Sequence, residues 1–190
     1  MRNKAVVIGG SAGSYKVVMK IISSLPKNLN VPFFICLHRL RSARNGFAET
    51  MRIHTPYQVV EPVDKEAIES NKIYIAPANY HLIILNNEII GLSVDEEINH
   101  SRPSIDLAFY SAAETYKNNL LGIILSGANH DGAFGMLKIK EKGGITIAQN
   151  PDECEISVMP LSCIERKGVC SIQSVDEIIK SIHNFISYTD

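Results

Sequence analysis

Ala5-Val6-Val7-Ile8-Gly9-Gly10-Ser11-Ala12-Gly13 decides how this chain is read. Its first four residues, small or β-branched and all apolar, predict a strand buried on both faces. Val17, Val18, Ile21, Ile22 and Leu25 then recur at helical spacing, so the glycines and Ser11 fall on a strand-to-helix turn. The turn fits G-x-S-x-G, the nucleophile elbow, in which flanking glycines permit a strained backbone and close helix packing while the serine oxygen projects clear of the sheet. Free N–H groups at the start of the helix favour negative charge, which suits either a phosphate or the oxyanion of an acyl-transfer intermediate. On the pentapeptide alone, catalytic, nucleotide-binding and purely structural uses all stay open.

Outward from this turn the chain alternates strand and helix. Phe33 to Leu37 predicts a second strand, with His38 just beyond its C-terminal end. A basic loop, Arg39 to Arg44, leads to a short helix from Gly46 to His54 and a strand around Tyr57 to Val60. Lys72 to Ala76 is the next strand, stopped by Pro77. His81–Leu85 and Glu88–Leu92 flank Asn86-Asn87, a hairpin signal that interrupts the parallel pattern. A helical stripe from Ile105 to Tyr116 starts at Arg102-Pro103-Ser104. The most apolar strand, Leu120 to Leu125, then opens into the polar loop Ser126-Gly127-Ala128-Asn129-His130-Asp131-Gly132. A helix with Met136, Leu137 and Ile139, strands at Ile145–Ala148 and Cys170–Gln173, and an amphipathic C-terminal helix complete the pattern. The expected architecture is α/β: a three-layer α/β/α domain over residues 1–190, with a mainly parallel, doubly wound sheet of about seven strands and an inserted β-hairpin.

Composition narrows the function. A length of 190 residues, 45% hydrophobic content and a net charge of −1 describe a soluble globular chain with a substantial core. The charge balance argues against nucleic acid as a partner, which calls for a strongly basic domain. No apolar stretch reaches the roughly 18 residues of a membrane span, so no membrane insertion is expected. Met1-Arg2-Asn3-Lys4 leads into a strand rather than a signal-peptide core, giving a cytoplasmic expectation. Cys36, Cys154, Cys163 and Cys170 lack CxxC spacing and are expected to be reduced thiols without a metal.

In such sheets the crevice lies at the carboxyl ends of the strands. Ser11, His38 and Asp131 each follow an apolar strand, bringing a nucleophile, a base and a carboxylate to one edge. A dinucleotide site is disfavoured: Ser11 and Ser14 stand at the second and third glycine positions, and His38 stands where the ribose-binding carboxylate belongs. The α/β-hydrolase fold is excluded too, since it places strands before the elbow and orders its triad serine, acid, histidine.

The sequence resembles the catalytic domain of the chemotaxis receptor methylesterases, the CheB type. The segments VVIGGSAGS (6–14), ICLHR (35–39), IAPANYHLII (75–84), SRPSIDLAFYSAA (101–113), ILSGANHDGAFGMLKIKEKGG (124–144) and TIAQNPDECEISVMP (146–160) follow the family's motifs in order. The resemblance implies hydrolysis of γ-glutamyl methyl esters on the cytoplasmic helical bundle of methylated chemoreceptors, with glutamine deamidation in some members. It puts the nucleophile on Ser11, the histidine on His38 and the aspartate on Asp131. His38 would take the serine proton, Asp131 would orient His38, and N–H groups near Ala12 and Gly13 would hold the oxyanion, with no metal or organic cofactor. Arg39 and Arg102 are the expected contacts to acidic receptor surface. The sequence departs from the family at Ser14, where a glycine is common, and at Ala128, where a methionine beside the oxyanion site is common. The receiver domain that precedes many members does not precede these motifs, so a separate receiver-domain regulator is expected. The competing expectation is a catalytically degenerate member serving as a receptor-binding scaffold.

Overall fold

The structure is a computed structural model describing residues 4–39, 47–86 and 88–187. Most of the basic loop after Arg39, Gly46 and one residue of the Asn86-Asn87 turn lie outside them.

In chain order the elements are β1 (Ala5–Gly10), α1 (Tyr15–Ser23), β2 (Phe33–Leu37), α2 (Phe47–Arg52), β3 (Gln58–Val60), β4 (Lys72–Ile75), β5 (His81–Leu85), β6 (Ile89–Ser93) and α3 (Ile105–Tyr116). They continue with β7 (Leu120–Ile124), α4 (Ala133–Glu141), β8 (Ile145–Gln149), α5 (Val158–Glu165), β9 (Ser171–Gln173) and α6 (Val175–Ser187). Seven strands form one parallel sheet in the order β3-β4-β2-β1-β7-β8-β9. Alternation along β1 explains its unbroken apolar run. Val6 and Ile8 pack with α1, α2 and α6 on one face, while Ala5 and Val7 pack with α3, α4, α5 and the hairpin on the other. The three-layer, doubly wound expectation is met.

The chain winds from β1 to β2 on one side, and its second half returns on the other side of β1 as β7. This reversal opens a crevice at the carboxyl ends of β2, β1 and β7. The hairpin β5–β6 forms its own antiparallel sheet. It is tied to α3 by Ile84 N–H donating to Ser111 Oγ (3.0 Å) and by Thr115 Oγ1 donating to the Ile84 carbonyl (3.2 Å).

Two details correct the sequence reading. The α3 cap is Ser104, whose hydroxyl accepts from Leu107 N–H, with Pro103 lying before the cap. Helix α5 was not expected. Its Pro160 sits in the first turn, where a missing N–H breaks no intrahelical bond, so the proline does not prevent a helix. Among the described residues no helix is long and apolar enough to cross a membrane.

Candidate active site

Parallel pairing sets Gly10 opposite Leu37, so the next residues, Ser11 and His38, leave neighbouring strands side by side. His38 N–H donates to the Gly10 carbonyl (3.2 Å). From the β7 side, the Ser126 carbonyl accepts Ser11 N–H (2.9 Å). Positive φ in the turn falls on Gly13 (+82°), and Ser11 is not among the positive-φ residues, so the backbone strain expected of the elbow sits two residues later. A side chain at position 13 would also collide: its Cβ would lie 2.5 Å from Glu155 Cβ and 2.7 Å from Ser126 Oγ.

Ser14, the departure at the start of α1, is buried and folds back on the turn, its Oγ donating to the Ser11 carbonyl (2.6 Å). The N–H groups of Ala12, Gly13 and Ala128 donate to no described residue. Ala12 and Ala128 are exposed and Ser11 is half-buried. Backbone donors without an acceptor, on the turn that carries Ser11 and in the loop after β7, are of the kind that suits an incoming oxyanion.

His38 and Asp131, 93 residues apart, meet at 2.8 Å between Nε2 and Oδ2. Asp131 is fully buried, yet it does not cap α4, which is the ordinary duty of an aspartate before a helix; Gly132 holds that place. Its carboxylate is turned instead to the N-terminus of α3. Oδ2 accepts Ile105 N–H (2.7 Å), and Oδ1 accepts Asp106 N–H (3.0 Å), Ser104 Oγ (3.1 Å) and Asn99 Nδ2 (3.1 Å). Burial alone would push this carboxyl up. The bonds from His38, Ile105, Asp106 and Asn99 outweigh it and hold the group below the usual carboxylate range. Asp106 shifts the other way: burial, with the Asp131 charge adding to it, outweighs the bonds it accepts from Gly135 N–H and Asn99.

Because Nε2 faces Asp131, Nδ1 is the nitrogen left for chemistry. It lies 3.4 Å from Asn129 Nδ2 and 3.5 Å from Ser101 Oγ. Ser11 Oγ makes no hydrogen bond to a described residue, so the serine–histidine contact is not closed. Such bonds are commonly long without substrate. His38, Glu97, His100, Ser101 and Arg102 line a polar pocket of ≈ 170 Å³ beside the imidazole.

Both arginines make contacts within the protein. Arg39 has a side chain only 5% exposed, pairs with Glu61 (2.8 Å) and donates to the Ala76 carbonyl (2.8 Å). It is therefore braced within the fold, and it lines the same pocket beside His38. Arg102 Nη1 donates to the carbonyls of Val94 (2.7 Å) and Asp95 (2.8 Å), ordering the loop after β6. Sequence reasoning passed over Asn99, Ser101, Ser104, Ser126 and Asn129. Of these, only Ser104 carried a local signal, a hydroxyl immediately before an apolar helical stripe.

The CheB methylesterase family model matches residues 6–182. The chain belongs to the CheB methylesterase family. The crystal structure of the Thermotoga maritima CheB methylesterase catalytic domain superposes with a TM-score of 0.92 at 30% identity, covering 98% of this chain and 100% of that one. A Leptospira interrogans relative named "Putative protein-glutamate methylesterase/protein-glutamine glutaminase" is 39% identical over 178 residues, 94% of this chain and 92% of its own. The Clostridium acetobutylicum protein-glutamate methylesterase/protein-glutamine glutaminase is 32% identical over 94% of this chain and 52% of its own length. This CheB-family chain thus spans nearly the whole of one relative and about half of the other.

Proposed function

We propose that this chain hydrolyses γ-glutamyl methyl esters on the cytoplasmic helical bundle of methylated chemoreceptors, with Ser11 as nucleophile, His38 as base and Asp131 as the group that orients His38. The observation that carries this reading is the Asp131 carboxylate, buried on the α3 N-terminus and directed at His38 Nε2. That bond keeps the proton on Nε2 and leaves the Nδ1 lone pair to take the Ser11 proton. Serine attack forms a tetrahedral oxyanion facing the free N–H groups around Ala12, Gly13 and Ala128. His38 then protonates departing methoxide as methanol, and water attacks the acyl-enzyme by the same route to restore glutamate. Attack on a glutamine amide would release ammonia through the same groups, which suits the paired activities in the relatives' names.

Residues 1–190 act as one catalytic domain in this reading. In the same reading the site works in the cytoplasm without metal or organic cofactor. Methanol release from a methylated receptor fragment tests it: the wild-type chain produces methanol, Ser11→Ala produces none, and both bind the fragment. Binding without methanol from the wild type would support the scaffold alternative.

A further inference from the structure

Ser126, in the loop just after β7, is fully buried, and its groups all go to the nucleophile turn or the segments bracing it. Its carbonyl accepts Ser11 N–H (2.9 Å) and its N–H donates to Gln149 Oε1 (3.0 Å). Its Oγ lies 2.8 Å from the Ala12 carbonyl and 3.0 Å from the Ile156 carbonyl, and accepts Ile156 N–H (3.0 Å). One hydroxyl proton serves one of the two carbonyls at a time, and the Ala12 carbonyl is the nearer.

This bond has a consequence one atom further along. The N–H and C=O of a trans peptide point in opposite directions. With the Ala12 carbonyl held on Ser126, the Gly13 N–H is turned away from Ser126, where it donates to no described residue. The peptide has an alternative, since rotating it changes φ at Gly13, the residue type that tolerates either sign. In the rotated state the carbonyl oxygen would take the place of the N–H and repel the developing negative charge.

On the reading that Ser11 is the nucleophile, we propose that Ser126 is a positioning residue whose hydroxyl locks the Ala12–Gly13 peptide with its N–H available to the oxyanion. It touches neither substrate nor the reacting oxygen. Gln149 supports it from below: its Oε1 holds the Ser126 N–H while its Nε2 donates to the Glu153 carbonyl (3.3 Å).

The test is steady-state methanol release by the full chain carrying Ser126→Ala or Ser126→Thr, with affinity for the methylated fragment measured separately in a Ser11→Ala background. Ser126→Ala should lower kcat by about 10- to 100-fold, less than the 10²- to 10³-fold typical of deleting an oxyanion donor outright, because the peptide still samples the correct orientation. KM and affinity in the Ser11→Ala background should stay within about threefold, and Ser126→Thr, which keeps the hydroxyl, should retain kcat within about threefold. If Ser126→Ala does not fold, Ser126→Cys, close in size but a weak donor, carries the same expectation. A kcat for the folded Ala or Cys variant within about twofold of wild type overturns the proposal, as does a Thr variant that falls as far as Ala. Failure of the underlying reading shows elsewhere: Ser11→Ala that still releases methanol removes the nucleophile, and this proposal with it, whatever the position 126 variants do.

Discussion

The two nitrogens of His38 have different surroundings, and that difference decides which of them is left to act as a base. Nε2 is committed to Asp131, whose carboxyl is held below the usual carboxylate range and stays charged throughout the pH range in which histidines titrate. If Nδ1 is the base, His38→Gln, whose amide cannot accept the serine proton, should remove most of the turnover while the methylated fragment still binds; turnover within about tenfold of wild type would contradict the base assignment. Asp131→Asn keeps the shape of the group but not its charge, and its amide can present the wrong partner to Nε2. Turnover should fall on the order of 10²- to 10⁴-fold with KM little changed; a KM effect alone would move Asp131 out of the proton relay.

At the scale of elements, the site depends on how closely α4 approaches α3. Gly135, on α4, donates its N–H to Asp106 Oδ1 (2.8 Å), and a Cβ there would lie 2.5 Å from Phe109 Cβ and 3.0 Å from the Asp106 carbonyl oxygen. Gly135→Ala should force the helices apart, costing roughly 1–3 kcal/mol and about 3–10 °C in melting temperature, with a loss of kcat because the loop holding Asp131 moves with α4. A variant with unchanged melting temperature and kcat would show that this approach does not matter. Elements of this kind were largely legible in the sequence. The buried runs of β1, β2 and β7 and the stripe of α3 gave the strands, helices and crevice, and with them Ser11 and His38. What the sequence could not show was where short polar side chains would go. The bonds of Asn99 to Asp131, of Asn129 to His38 and of Ser126 to Ala12 join segments distant in the chain and have no periodic signature. The burial of Arg39 was hidden for a related reason: a cation in a basic loop looks solvated until a carbonyl and Glu61 are found beside it.

For the whole molecule, Asp131 in the loop after β7 is bonded to His38 after β2 and to the start of α3, so its titration acts on folding. The folded chain binds its proton less tightly than the unfolded chain does. Its stabilising contribution is complete above the ordinary carboxylate range and is lost as pH falls through the lowered folded value. Asp106, raised in the fold, works in reverse, with its contribution present at low pH and lost as pH rises through its raised value. Urea midpoints measured from about pH 3 to 7 should show a shallower acid-side loss in Asp131→Asn and a steeper one in Asp106→Asn. Identical slopes in both variants would refute this assignment. The central claim, that Ser11 is the nucleophile activated by His38, is tested most directly by mass spectrometry of the intact chain after reaction with a serine-directed phosphonate. A single adduct is expected on the peptide containing Ser11, slowed in His38→Gln and absent in Ser11→Ala; an adduct on another residue, or none while the chain still releases methanol, would rule Ser11 out as the nucleophile.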